Sequence, residues 1–203
     1  MFAVMLQLTR GHIIASREMT KIGNWDYASA HAQHPAAETY DRLDPILKER
    51  GAAPFEAELG ALVEQVIEKK PGVKLDAAYD AVLSKIEAAL ASIDATKRTS
   101  PVFAMGSVTA LLKQASSEYA IGVSGGKIVN LQEYQDAHGF IIAASQIAAT
   151  LDQALPGMAE ISADLAQLKA SWQPAAIMDS QAAPEAEILA GISRIELRSG
   201  KIR

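Results

Sequence analysis

Apolar residues recur along this chain at intervals of three and four, and glycine or proline cuts the recurrence every few helical turns. That pattern belongs to amphipathic helices and leaves little room for strands, which need alternation by two. The clearest stretch runs from Leu75 to Ile93, where Ala78, Val82, Ile86 and Leu90 are spaced by four. Pro54 to Lys70 places Phe55, Leu59, Leu62, Val63 and Ile67 on one face, and Pro71-Gly72 then turns the chain. Phe2 to Lys21 reads as a further helix, stopped at Ile22-Gly23-Asn24, where Gly23 suits a C-cap and Asn24 an N-cap. A helix beginning at Trp25 should kink or restart at Pro35, because proline removes an N–H and crowds the preceding turn, and should end near Arg50.

The remaining punctuation divides the chain. Asp94 to Ser100 is polar and ends at Pro101, which makes it the best linker, with one helical half at residues 1–95 and another at 96–203. The second half reads as a helix from Val102 to Ile121, a flexible loop over 122–127, a long helix capped by Asn130 and running to Leu155, and a helix from Pro156 to Trp172. Gln173 to Pro184 is irregular, Glu185 to Leu197 is a last helix, and 198–203 reads as a frayed basic tail. The expected fold is therefore all-α, an antiparallel helical bundle.

Composition narrows the function. Hydrophobic residues are 49% and charged residues 21%, the balance of a globular chain rather than a disordered one. The net charge is -5 with no basic stripe, which argues against nucleic acid as a partner. Cysteine is absent, so disulfides and thiolate metal sites are excluded. No apolar run reaches the roughly 18 residues a membrane helix needs, so direct membrane insertion is not expected. Met1 to Leu8 has no basic leader and no small-residue cleavage site, and reads as the start of a mature helix whose signal peptide has already been removed.

Three of the four histidines fall within the first 34 residues. On a helical wheel His34 lies about 60° from His31 and Glu38 about 20° from it, one face carrying two imidazoles and a carboxylate. His12 and His34 are each 11 residues from Gly23, so an antiparallel hairpin sets them at one height. Such a donor set suits a divalent or ferric ion, iron or zinc rather than cuprous copper. Glu118 and Glu133 are likewise equidistant from Gly125-Gly126, accompanied by Tyr119 and Tyr134, and paired carboxylates from facing helices are how bundles hold iron. His138 lies about 140° round the helix from Glu133 and should not join that pair. No nucleophile, base and orienting group come together, so an enzyme is not expected and a metal-dependent hydrolase is the weakest reading. The alternative to a metal site is a helical protein-interaction module with the histidines as polar core contacts.

Two groups of segments carry a family likeness. Leu8-Thr9-Arg10-Gly11-His12-Ile13, Gly23-Asn24-Trp25 and Ala30 to Glu38 resemble the extracytoplasmic helical domain of bacterial Ftr-type iron permeases, as do Glu118-Tyr119-Ala120, Gly125 to Asn130 and Glu133 to Ala137. More distantly the chain is similar to imelysin-like periplasmic iron-uptake proteins, although Gly11-His12 is followed by Ser16 and Arg17 rather than by a Glu. The resemblance implies two four-helix bundle halves, a periplasmic location, a metal ion as ligand and a membrane permease as partner. On this reading the ligands are His12, His31, His34 and Glu38, supplemented by Glu118 and Glu133. Limited proteolysis should cut within Asp94 to Pro101 before it cuts within Leu75 to Ile93, and the order of appearance of fragments on a gel tests this.

Overall fold

The computed structural model describes residues 1–173 and 175–202, with the Glu38 side chain outside that description. The chain is all-α, with a single short strand pair among the described residues, and it divides into two compact units, Met1–Arg98 and Thr99–Arg203.

The first unit contains α1 (Phe2–Lys21), α2 (Trp25–Glu38), α3 (Tyr40–Glu49), α4 (Glu56–Ile67), α5 (Val73–Ala91) and the single turn α6 (Ala95–Arg98). α1 packs on α2, α2 on α4, α4 on α5 and α5 back on α1, which closes a four-helix bundle, with α3 lying against α1 and α2. Gly23 adopts φ +75° and the Asn24 amide donates to the Met19 carbonyl at 2.9 Å, a six-residue closure that only a left-handed residue permits. Asn24 takes the N-cap position, but its side chain makes no capping bond.

α2 runs through Pro35 instead of restarting there. It ends at Thr39, whose amide and hydroxyl both donate to the Pro35 carbonyl at 3.1 Å. On α5 the buried stripe is Leu75, Tyr79, Val82, Ile86 and Leu90, so Tyr79 takes the place expected for Ala78. Its hydroxyl reaches Ser16 Oγ at 2.7 Å, and Ser16 Oγ also donates to the Ala28 carbonyl at 2.7 Å, joining α1, α2 and α5 at one fully buried point.

The second unit contains α7 (Pro101–Gly122), β1 (Val123–Ser124), β2 (Lys127–Ile128), α8 (Leu131–Ala149), α9 (Met158–Ala170) and α10 (Glu185–Ser199). Its ring of contacts is α7–α8–α9–α10–α7, a second four-helix bundle. Pro101 opens α7 at the first position, where a missing N–H costs nothing. The expected flexible loop at 122–127 is instead a tight antiparallel hairpin. Val123 pairs with Ile128 across Gly125 and Gly126, whose φ of 58° and 76° suit a two-residue turn of the inverted kind. The irregular segment is anchored to it, since the Ile128 amide donates to the Ser180 carbonyl and the Asp179 amide to the Ile128 carbonyl, each at 2.9 Å.

Two further boundaries differ from the periodicity. α8 stops at Ala149, not Leu155, because Thr150, Asp152 and Gln153 bond to neighbouring backbone and compete with the helix. The C-terminal segment is not frayed over its described length. Arg194 and Arg198 both donate to the Asp164 carboxylate, α10 continues to Ser199, and Ile202 is buried.

Gly122 marks the closest approach in this unit. A Cβ there would stand 2.7 Å from the Tyr134 amide nitrogen and 3.0 Å from its Cα, both backbone atoms that cannot swing aside. Gly122→Ala should therefore destabilise the fold by about 1–3 kcal/mol, read as a lowered thermal midpoint by circular dichroism, whereas Gly106→Ala, which meets nothing within 4 Å, should not.

Candidate metal centre

The α1–α2 closure at Gly23 brings three histidines together. The rings of His12 and His34 are 5.1 Å apart and nearly perpendicular, and those of His31 and His34 are 5.8 Å apart. One ring nitrogen from each lies within 4.8 Å of the others. His31 is fully buried, His12 nearly so, and His34 half-buried. Ala28 and Ala32, both fully buried on α2, present no bulk that would hold α1 away. His12 and His34 thus face each other at one height, as equal distances from Gly23 require.

The donor set fits a metal ion. Tetrahedral ligands with bonds of about 2.1 Å stand roughly 3.4 Å apart, so the imidazoles need to draw in by about an ångström. Thr9, one turn before His12 on α1, is fully buried and its hydroxyl makes no hydrogen bond among the described residues. Buried hydroxyls are rarely left so, and a fourth, non-protein ligand would give it a partner. The Glu38 side chain lies outside the described residues, so its place relative to the imidazoles is not part of this geometry. Ser16 and Arg17 are taken up structurally, Ser16 by the Tyr79 node and Arg17 by Asp80 at 3.0 Å.

In the second unit, the tyrosines beside the two glutamates take the interior. Tyr119 and Tyr134 are buried with ring centroids 5.9 Å apart, although they stand six and eight residues from the Gly125-Gly126 pair and not at equal distances from it. Glu118 and Glu133, each about 100° back on its helix, are turned off that axis. Glu118 accepts from Gln114, and Glu133 stands in the first turn of α8, where its amide bonds Asn130 Oδ1 at 3.4 Å. Among the described residues, no cluster of three metal-ligating side chains includes either glutamate.

Trp172 closes the aromatic group, 5.1 Å from Tyr119 and 5.7 Å from Tyr134. His138 does not approach Glu133 but stacks flat on Trp172, at 5.7 Å and 7°. Asp136 was not among the residues singled out above. It is a fully buried carboxylate on α8, and acids are almost never fully buried unless engaged. The signal was available, because Asp136 interrupts an otherwise apolar helical stripe of Phe140, Ala143 and Ile147.

A family model described as the iron permease-associated 4-helix bundle domain matches residues 94–202, just over half of the chain. The chain belongs to this family. No curated protein and no solved structure matches it. The matched span coincides with the α7–α10 bundle and contains the Glu118 to Ala137 segments that resemble Ftr-type permeases. The Leu8 to Glu38 segments, with the three histidines, lie outside it. Membership ties this iron permease-associated chain to a permease system, and among the described residues no helix is long and apolar enough to cross a membrane.

Burial raises the phenol pKa values of Tyr79, Tyr119 and Tyr134 above the ordinary value, with the neighbouring Tyr134 adding to the effect at Tyr119. The folded state therefore holds these protons more tightly than the unfolded chain does. The stability linked to them is complete below about pH 10 and is lost above it, as the pH climbs towards the raised values. In an alkaline titration the phenolate absorbance of these tyrosines should rise together with loss of helical circular dichroism, not before it.

Proposed function

We propose that this chain is a non-enzymatic metal-binding module of an iron-uptake system, one that holds a metal ion for delivery to or from a membrane permease outside the cytoplasm. The observation that carries the reading is the convergence of His12, His31 and His34 from two helices onto one largely buried point. Three neutral imidazoles suit ferrous iron or zinc, and Glu38 at the end of α2 is the carboxylate proposed to join them. Glu118 and Glu133 are proposed only as accessory ligands, since each stands apart from any larger donor group among the described residues. The metal is cargo here. The half-buried His34 gives an approach, while the buried His12 and His31 supply ligands that water does not compete for.

Support for the iron context comes from the family match, and support for a non-catalytic role from the donor set, in which no general base stands beside a nucleophile. An interaction module would use the same imidazoles as packing groups, with no affinity for metal. Calorimetric titration with zinc and with ferrous iron at neutral pH separates the two. The wild type should bind one ion. His34→Ala should weaken binding by about 10- to 100-fold or more, and His138→Ala, which removes the stack on Trp172, should leave it unchanged. Acidification should release the ion, because protonated imidazole is not a ligand. Equal binding by the wild type and His34→Ala rejects the site.

A further inference from the structure

One end of the first bundle combines exposed apolar side chains with lysines. The α1–α2 turn and the α4–α5 turn lie side by side there, tied by Lys69 to Asp26 at 2.7 Å and by Arg17 to Asp76 at 3.3 Å. From these two turns Ile22, Ile67 and Val73 project into solvent, with fractional exposures of 43%, 58% and 86%. Lys21, Lys69, Lys70 and Lys74 stand at the same two turns, all exposed. Lys21 pairs with Glu18 and Lys69 with Asp26, and Glu68 is the other carboxylate of the α4–α5 turn. Among the described residues Lys70 and Lys74 pair with no carboxylate, and they flank a groove of about 270 Å³ that Gly72 and Val73 help to line.

The shape of the turn is specified by unusual backbone. Lys69 adopts φ 53° and Gly72 φ 138°, and these two residues bring the chain round so that Val73 stands at its apex. An isolated exposed valine means nothing, but three large aliphatic side chains on two adjoining turns that also carry four lysines form a patch. Amphipathic surfaces of this kind are what bilayer interfaces bind. Aliphatic groups enter the headgroup boundary, and lysine stems lie along it with their ammonium groups on lipid phosphates.

We infer that this end of the Met1–Arg98 unit docks on an anionic lipid surface, with Ile22, Ile67 and Val73 entering the headgroup region and Lys70 and Lys74 engaging lipid phosphate. The occupant follows from charge. The chain as a whole is acidic, at -5, yet its two unpaired lysines at this end stand beside its most exposed aliphatic residue of the turn. An acidic protein surface would satisfy the lysines but gives no reason for apolar side chains to project beyond them. Docking also sets a distance. His12 is 11 residues from Gly23, about 16 Å along α1, so the histidine site would stand three helical turns above the lipid.

The test is sedimentation of the full chain with vesicles of phosphatidylcholine carrying about one-third phosphatidylglycerol, set against phosphatidylcholine alone. The wild type should bind the anionic vesicles only, and less as salt rises. The double variant Lys70→Glu/Lys74→Glu should bind at least about tenfold more weakly. Ile67→Ser/Val73→Ser should bind several-fold more weakly, while Lys113→Glu/Lys169→Glu, with charges changed in the other unit, should bind as the wild type does. No binding by the wild type, equal binding to neutral vesicles, or an equal loss in the Lys113/Lys169 control each overturns the proposal. These variants leave the three histidines intact, so zinc titration should be unchanged and failure here is distinguishable from failure of the metal site.

Discussion

Asn24 donates its amide proton to the Met19 carbonyl across a left-handed Gly23, and this closure sets the height at which each residue of α2 meets α1. Everything distinctive in the first unit is downstream of that register. Ser16 reaches the Ala28 carbonyl only if those positions are opposed, and the same pairing brings Tyr79 of α5 to the Ser16 hydroxyl. One helical turn further along α1 from the closure, His12 faces His34. A shift of one residue along α2 would rotate its side chains by about 100° and part the imidazoles. The closure needs a residue at positive φ without a side-chain penalty, which is why glycine stands there.

The second unit reaches a comparable register by another device. Gly125 and Gly126 make a two-residue turn between the short strands, and Gly122 lets the end of α7 approach the backbone of Tyr134. The side chains that meet across this hairpin are Tyr119 and Tyr134. A phenol can enter a core because its ring is apolar and its hydroxyl needs one partner: Tyr119 donates to the Ala183 carbonyl, and Tyr134 accepts from the Gln173 amide. A carboxylate at the same point would bring a desolvation cost that one backbone bond does not offset. The glutamates accordingly sit one residue back, nearer to water.

The two units divide what is established from what is proposed. The family match falls on the α7–α10 bundle, where the aromatic group is built from side chains satisfied by the protein itself. The histidine convergence belongs to the α1–α5 bundle, outside the matched span. Bundles of this kind carry function as side chains added to a scaffold, so the scaffold's family gives the context and the side chains must supply the chemistry. For this chain the context is an iron permease system, and the chemistry we propose for its side chains is imidazole ligation.

Much of the architecture was legible in one dimension. The three- and four-residue periodicity, the glycines at turns and the equal spacing of His12 and His34 from Gly23 are local or symmetric properties, so they survive without knowledge of distant neighbours. Where local reading went astray, a longer-range partner or a competing local bond decided the outcome. Tyr79 displaced Ala78 from the buried stripe because Ser16 on α1 offered its hydroxyl a partner, and the C-terminal arginines are ordered because Asp164 lies beside them. α8 ended early because the side chains of Thr150 and Gln153 captured its last carbonyls, those of Ile147 and Ala148. The sequence by itself determined the helices, their hairpin order and the level of the histidines. Only the tertiary structure decided which polar groups are buried, among them His31, Thr9 and Asp136, because burial is conferred by residues far away in the chain.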